Sequence, residues 1–461
     1  MRFAGYRREF YPMLRIALPL ALAEVGWMSM GVVDTIMVGH LRDSAVPLSA
    51  AALPQVFFNT LVFGIGGVLL GLDTTIAQAH GANDFPRANR WFAQGLLLCG
   101  VLSALLMVLL GVVAPLGLMH LRTDPAVLRL AVPTLRALGW GVFPLLLYFT
   151  MRRYLQAFNH VRLIAATLVS ANLINVLFDW LLIFGHRFQV GTWVLEWSPL
   201  GVVGSGIATS LARVYQAVFL IAAITWVDRR NGYGLLAGAR VSLRPHWESL
   251  RRLIVLGAPA GATILVEIAV FAVVTAVIAT LGAVPLAGHE IALNCVSFTF
   301  MIPLGISAAA SVRVGQAIGR GSVDQARFAG GTAIALGASA MGVCAAVYLA
   351  VPHGLAAVFT HDAGVIGAAV PLFLIAAVFQ FFDGLQVTAT GALRGLGDTH
   401  SAFLTHLCSY WLLGLPLGLY LCFPQKLGAR GLWMGLCASL LLTGVVLLLR
   451  WRRQIRRVRV V

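Results

Sequence analysis

Charge is what this chain has least of. Of its 461 residues only 11% are Asp, Glu, Lys or Arg, against about 25% in soluble domains, so a water-facing globular surface cannot be built from it. Cysteine is sparse as well. The six (Cys99, Cys295, Cys344, Cys408, Cys422, Cys437) lie in or beside apolar runs, and no two have the C-x-x-C spacing of a zinc or redox site. We read them as small core residues. No H-E-x-x-H, no G-x-S-x-G in a strand-turn-helix setting, no P-loop and no metal-spaced Cys/His set is present. Neither catalysis in the bilayer nor ATP-driven pumping has support, and no cofactor or structural metal is expected. The start, MRFAGYRREFYP, leads into a long apolar segment without the short h-region and small-residue cleavage site of a removable signal peptide.

What fills the chain is hydrocarbon: 59% of residues are hydrophobic. Apolar runs long enough to cross about 30 Å of bilayer recur from end to end. Bounded by turn and charge clusters, they predict twelve helices near 13–38, 48–79, 91–117, 126–157, 161–185, 201–227, 250–281, 286–318, 328–351, 364–394, 400–423 and 428–450. The fold class is therefore an all-α polytopic membrane protein. The runs at 48–79, 126–157 and 286–318 exceed a spanning length, which predicts tilted or projecting helices.

The basic residues sit between the runs. Assigning loops alternately to two sides puts 25 of the 33 with the termini, including six in the tail RWRRQIRRVRV. Six (Arg42, Arg122, Arg129, Arg187, Lys426, Arg430) fall on the other side, and Arg136 and Arg213 fall inside apolar segments. The positive-inside rule then makes both termini cytoplasmic. The formal charge of +16 is thus a topology signal in contact with anionic lipid, and no nucleic-acid partner is expected.

The longest polar stretch, VDRRNGYGLLAGARVSLRPHWESLRR, suggests a six-helix N-terminal lobe (1–227), a cytoplasmic linker (228–249) and a six-helix C-terminal lobe with a basic tail (250–461). The halves resemble each other. Val46-Pro47-Leu48 returns as Val284-Pro285-Leu286 and Gln78-Ala79-His80-Gly81 as Gln316-Ala317-Ile318-Gly319, both at an offset of 238. Pro19 answers Pro259 at 240, and Leu200-Gly201 answers Leu427-Gly428 at 227. Two copies of six spans share one orientation and are related by an axis along the membrane normal, which is transporter architecture.

A charge near the bilayer centre costs at least about 2.5 to 3.5 kcal/mol, so intramembrane carboxylates are functional candidates. Seven qualify: Glu24, Asp34, Asp73, Asp179, Glu267, Glu290 and Asp383. Asp179 shares a helical face with Asn175 and Asn172, at four and seven residues. Asp34 could share a proton or ion with it if spans one and five touch. Glu267 has Thr263 and Phe271 four residues either way, and Asp383 has Gln380 and Gln386 at three. Such groups load protons, or converge on a sodium ion; the alternative is a carboxylate hydrogen-bonded only to fix helix packing. Asp73, Glu290, Gln380 and Gln386 are candidate further polar groups of a cavity. Acidic groups with aromatic side chains suit organic cations, through charge pairing and cation-π contact.

Five stretches carry a family resemblance: VDTIMVGHL, LDTTIAQAHGA, GAPAGATILVEIAVFAVV, GHEIALNCVSFTFMIPLGISAAASVRVGQAIG and FQFFDGLQVTATGALRGLGDT. In this order, over essentially the whole chain, they resemble the multidrug and toxic compound extrusion (MATE) transporters, specifically the NorM-like bacterial branch. The resemblance implies two six-helix lobes around a substrate cavity, in a protein of the bacterial inner membrane. It also implies export of amphipathic, often cationic compounds in exchange for Na+ or H+. A monomer is expected, with small-molecule drugs, the coupling ion and membrane lipids as its partners. The NorM-like cation site maps onto Glu267 and Asp383, where Na+ would bind transiently. The proton-linked site of the DinF-like branch maps onto Asp34, Asn175 and Asp179. Glu290 departs from a family glutamine, and we expect it near the external end of span eight, facing solvent. The ends GQAIGRG and ALRGLGDT are expected as cytoplasmic turns in which Gly and Asp cap helices. A lipid-linked oligosaccharide flippase of the same superfamily is the alternative; it would need several cationic residues in the cavity, and Arg136 and Arg213 are the only candidates.

Overall fold

The computed structural model describes residues 2–41, 45–120, 124–190, 193–235 and 244–458. Arg42, Arg122, Arg240 and Arg459, used above to orient the chain, lie outside them, as does part of the 228–249 stretch. Eleven helices are long and apolar enough to cross a bilayer, and a twelfth span is a helix pair bent by 41°. In chain order they are α1 (Gly5–Gly39), α2 (Val46–Gly81), α3 (Phe85–His120), α4 (Pro125–Trp140 with Val142–Ala157), α5 (Val161–Phe184), α6 (Gly201–Asn231), α7 (Trp247–Ala279), α8 (Ala283–Gly319), α9 (Val323–Ala350), α10 (Ala363–Leu396), α11 (Thr399–Cys422) and α12 (Ala429–Arg457).

Each helix covers one of the twelve apolar runs. The largest differences are at the chain ends, where the basic segments before Met13 and after Arg450 continue α1 and α12 as helix. A hydropathy reading stops at the first charge, whereas backbone hydrogen bonding does not. Two of the three over-long runs owe their length to a break. The run at 126–157 bends at Gly141, between the two parts of α4, and α2 tightens into a 3-10 turn at Gly67–Leu70. The segment between α5 and α6, read as a loop, contains a short antiparallel hairpin, β1 (His186–Val190) on β2 (Trp193–Trp197). Side chains that face outward along the helices are apolar, with Val101 67%, Leu173 69% and Leu412 73% exposed. In water this would be untenable; against lipid tails it costs nothing.

The chain forms two compact units. One comprises Met1–Val25, Asp73–Asp84 and Val255–Val461, the other Gly26–Leu72 and Phe85–Ile254. In the first unit α8 and α10 pack along a seam of small residues. A Cβ on Gly391 would strike the Ser307 carbonyl, and the Ser307 hydroxyl donates to the Val387 carbonyl at 2.7 Å. Backbones approach this closely only where side chains are absent. The ALRGLGDT turn ends α10 as expected: Gly397 takes a left-handed φ of +88° and Asp398 accepts from the Ser401 N–H.

The sequence repeat also has a physical cause in this unit. A Cβ on Gly81 would collide with the Gln316 carbonyl, and a Cβ on Gly319 with the Gln78 carbonyl. The two QAxG copies thus cross each other reciprocally, each glycine admitting the other's backbone, as a two-fold relation requires. Around the crossing Asp73 pairs with Arg394 at 3.4 Å, Gln78 donates to the Gly395 carbonyl at 3.1 Å, and Glu9 pairs with Arg313 at 2.6 Å.

Candidate functional site

Two polar clusters interrupt the apolar interior, one in each unit. In the first unit Glu267 on α7 and Asp383 on α10 are joined through one amide. Gln386 Nε2 donates to Asp383 Oδ1 at 3.1 Å and, at the limit of hydrogen bonding, to Glu267 Oε1 at 3.5 Å. Tyr410 Oη donates to the same Glu267 oxygen at 3.3 Å, and the Trp411 indole N–H ties α11 to the Val266 carbonyl at 3.2 Å. Behind the amide stands His406, with Nε2 2.7 Å from Gln386 Oε1 and Nδ1 2.7 Å from the Ala402 carbonyl. Exposure falls along this line: Glu267 is half-buried, Asp383 is 3% exposed, His406 1% and Gln386 fully buried.

The contacts restrict the protons. A carbonyl oxygen only accepts, so His406 Nδ1 carries hydrogen; Nε2 also faces an acceptor and asks for a second proton. A half-turn of the Gln386 amide gives the other self-consistent arrangement. Its N–H then meets a lone pair on Nε2, and its oxygen faces the carboxyl groups, which bonds only if they hold a proton or a cation. One amide orientation therefore suits a charged imidazole with ionised carboxylates. The other suits a neutral imidazole with carboxylates that hold a cation.

Local backbone geometry supplies this face. Tyr410 and Trp411 lie in a π-helical stretch of α11, Cys408–Gly414, of the kind often found at functional sites. His406 sits just before it, so Tyr410 reaches Glu267 and His406 reaches the Gln386 amide from one helix. The sequence reading screened acids alone and missed both. A histidine inside an apolar span is itself a functional signal.

In the second unit α1 and α5 touch, as a shared site required. Asn172 Nδ2 donates to the Gly26 carbonyl at 2.9 Å, and Asp34 lies against Asn175 and Asp179, with Arg213 close enough to act on it electrostatically. Thr209 donates to Asp34 Oδ2 at 2.9 Å. Asn175 and Asp179 are fully buried, and Asp34 is half-buried. Asp34 Oδ1, both Asp179 oxygens and both Asn175 amide atoms have no protein hydrogen-bond partner. Asp34 lies within hydrogen-bonding reach of Asp179 and of the Asn175 amide, so a single proton held between the two carboxyl groups, or a cation, bonds them together. Arg213 is 3% exposed and lies 4.2 Å over the Phe58 ring, whereas Arg136 is exposed. One turn-pair earlier on α1, Trp27 heads an aromatic cluster with Tyr148, stacked at 6.5 Å, Phe149 at 5.6 Å and Phe63 at 6.4 Å. Trp27 and Asp34, seven residues apart, share one face of the helix.

The other candidates lie elsewhere. Gln380 donates to Thr299 at 2.7 Å, which meets the Tyr348 hydroxyl at 3.0 Å; it belongs to a separate network. Asp73 is in the ion pair with Arg394. Glu290 is half-exposed on α8. Beside it, His289 accepts from the Trp433 indole at 3.0 Å and meets Thr275 at 2.8 Å, contacts that fix a neutral ring and a structural role. Thr263 spends its hydroxyl on the Pro259 carbonyl at 2.8 Å rather than on Glu267.

The MatE family model matches this chain twice, over residues 19–181 and 259–420. The chain belongs to the MatE family. The two matches fall on the two halves that the internal repeat relates. The chain is similar to "Multidrug resistance protein MdtK" of Edwardsiella ictaluri (strain 93-146), 33% identical over 97% of this chain and 96% of that one. Among solved structures it resembles a eukaryotic MATE transporter, AtDTX14, at TM-score 0.81 and 23% identity, covering 98% of both chains. It also resembles a MOP superfamily transporter from Pyrococcus furiosus, at TM-score 0.85 and 19% identity, over 96% of this chain and 95% of the other. At these identities the structural likeness concerns the fold.

Proposed function

We propose that the protein is a secondary active exporter of amphipathic organic cations or toxic metabolites, driven by entry of Na+ or H+ through alternating access. The observation that carries this reading is the arrangement found in each unit: a half-buried carboxylate, Asp34 or Glu267, backed by a deeply buried one, Asp179 or Asp383. The outer group meets a cation and the inner group holds it out of water, so occupancy becomes coupled to conformation. The MdtK resemblance supports drugs as cargo, and the Trp27 cluster supplies aromatic faces for a cation beside Asp34. The membrane is a bacterial inner membrane, both termini are cytoplasmic and the chain works as a monomer of two six-helix lobes, with no bond-making chemistry.

The two clusters differ in what a cation gains. At Asp34 and Asp179 it supplies a donor or ligand centre to acceptors that lack one. At Glu267 and Asp383 it displaces N–H and O–H donors already in place, and the Gln386 amide turns to present its oxygen and to pass its N–H to His406. The Asp34 cluster therefore binds the coupling ion more tightly, and the Glu267 cluster releases it more readily. Ion and drug compete through this linkage, which needs no ATP. A flippase for lipid-linked oligosaccharides is less favoured: of the two basic residues in apolar segments, one is exposed and the other faces Asp34.

The test is efflux of a fluorescent organic cation from proteoliposomes, with a Na+ gradient at constant pH and then a pH gradient without Na+. Stimulation by one gradient, abolished in Asp383→Asn or Glu267→Gln protein that still folds, is the expected result. Absence of cation transport under both gradients would overturn the reading.

A further inference from the structure

An open crevice of about 1650 Å³ lies where the first turns of α1 meet the start of α9 and the last turns of α12. Four arginines border it: Arg7, Arg327, Arg452 and Arg456. Only Arg327 has a carboxylate, Asp324 at 3.5 Å, an exposed pair that contributes little. Arg7, Arg452 and Arg456 are exposed and make no ion pair among the described residues. The crevice thus holds an excess of three positive charges at one end.

Below the arginines the walls turn apolar, through Phe10, Phe328 and Trp451 to Leu336, Leu385 and Leu448. From Arg327 to Ser339 along α9 is twelve residues, or about 18 Å at the helical rise. Thr332 lines this wall, is 6% exposed and has a hydroxyl with no hydrogen-bond partner. The shape is built in, because glycines admit the walls. A Cβ on Gly330 would strike the Trp451 ring, and one on Gly331 would lie 2.7 Å from Tyr6. The Tyr6 and Phe328 rings meet edge to face at 5.1 Å. The Glu9–Arg313 pair pins α1 beside them.

We infer that this crevice is a binding site for one anionic phospholipid of the surrounding bilayer. Its phosphate sits among Arg7, Arg452 and Arg456, and an acyl chain runs along the apolar wall. A soluble phosphate compound would use the arginines and leave the 18 Å apolar channel exposed to water. A zwitterionic lipid would fill the channel and leave the charge excess unmatched. Basic pockets between spanning helices on the positive side of a membrane protein suit this chemistry. The inference is independent of the export reading.

The experiment is native mass spectrometry of the detergent-solubilised full chain, titrated with phosphatidylglycerol and, separately, phosphatidylcholine. Wild type is expected to retain one phosphatidylglycerol with at least tenfold preference. The triple substitution Arg7→Gln, Arg452→Gln and Arg456→Gln should weaken retention by at least about 100-fold, at roughly a fivefold loss per arginine near an anionic headgroup. Ala335→Trp, which blocks the channel and spares the arginines, should also lose the lipid. A matched triple, Arg229→Gln, Arg251→Gln and Arg252→Gln, removes equal charge from exposed positions elsewhere and should bind as wild type. Equal retention of both lipids, equal loss in the matched triple, or displacement by millimolar inorganic phosphate would each overturn the proposal.

Discussion

Replacing Asp179 by Asn is expected to stabilise the protein while it removes coupled transport through this cluster. Asp179 is fully buried and neither carboxylate oxygen has a protein donor. Asp34 Oδ1 beside it is likewise unpartnered. An Asn at 179 keeps the shape, deletes one buried negative charge and supplies an N–H to Asp34 Oδ1. A hydrogen bond to a charged group contributes about 1.5–3 kcal/mol. For a unit of this size that raises the unfolding midpoint by roughly 3–10 °C. The gain depends on pH with a definite sign. At high pH wild-type Asp179 offers only acceptors, and the variant is ahead by the full amount. As pH falls, a proton on Asp179 supplies the same O–H donor to Asp34, and the gap closes. Thermal unfolding of purified protein in detergent across a pH series, with proteoliposome efflux in parallel, reads both quantities. A variant that is less stable than wild type at high pH, or a stability gap that does not change with pH, would refute the argument, because Asp179 would then be a packing residue. Retained wild-type coupling would refute it from the other side.

Three further outcomes follow from other contacts. Gln386→Leu should abolish ion-stimulated efflux, whereas Gln380→Leu, nearly two turns away and bonded to Thr299, should leave ion dependence unchanged; identical behaviour in the liposome assay would dissolve the distinction between the two networks. Arg394→Gln breaks the ion pair of the buried Asp73, which is 2% exposed, and should destabilise by up to about 3 kcal/mol, with Asp73→Asn in the same chain recovering part of it; a double-mutant cycle without coupling would remove the pair from the account. Gly319→Ala and Gly81→Ala each push a methyl into the opposing carbonyl and should cost about 1–3 kcal/mol by overpacking, visible as a fall in the unfolding midpoint; tolerance of both would mean that the crossing is loosely held.

The helices were legible because a bilayer imposes one length and one chemistry. Twelve apolar runs of spanning length leave little choice of fold, and the repeats at an offset of 238 located the glycines that cross in the structure. The candidate site was legible where a charge stood out against hydrocarbon, as Asp34, Asp179, Glu267 and Asp383 do. Residues with ordinary roles elsewhere did not stand out. Thr209 and Tyr410 are common in apolar spans, and their importance comes from which carboxylate they face. Spacing misled where two residues were symmetric in sequence: Gln380 and Gln386 stand equally far from Asp383, yet only Gln386 bonds it. The break at Gly141 was invisible because the run on both sides is equally apolar, and the hairpin at His186–Trp197 because it is short.

On the proposed export reading, the two clusters differ in how their buried acceptors are met, and that difference would give the transport cycle a direction. Protein folds tolerate unsatisfied buried acceptors at a cost of about 1–3 kcal/mol each, and rarely without function. The cluster at Asp34 has three such carboxylate oxygens and the one at Glu267 and Asp383 has none. On that reading a cation would complete bonding at the first and displace existing hydrogen bonds at the second. Were both clusters merely structural, satisfied carboxylates in each would be the economical solution, and the acceptors around Asp179 would have acquired donors. Their persistence beside a half-exposed Asp34 is what makes this cluster the proposed place for a proton or cation, shared between Asp34 and Asp179, to complete the bonding.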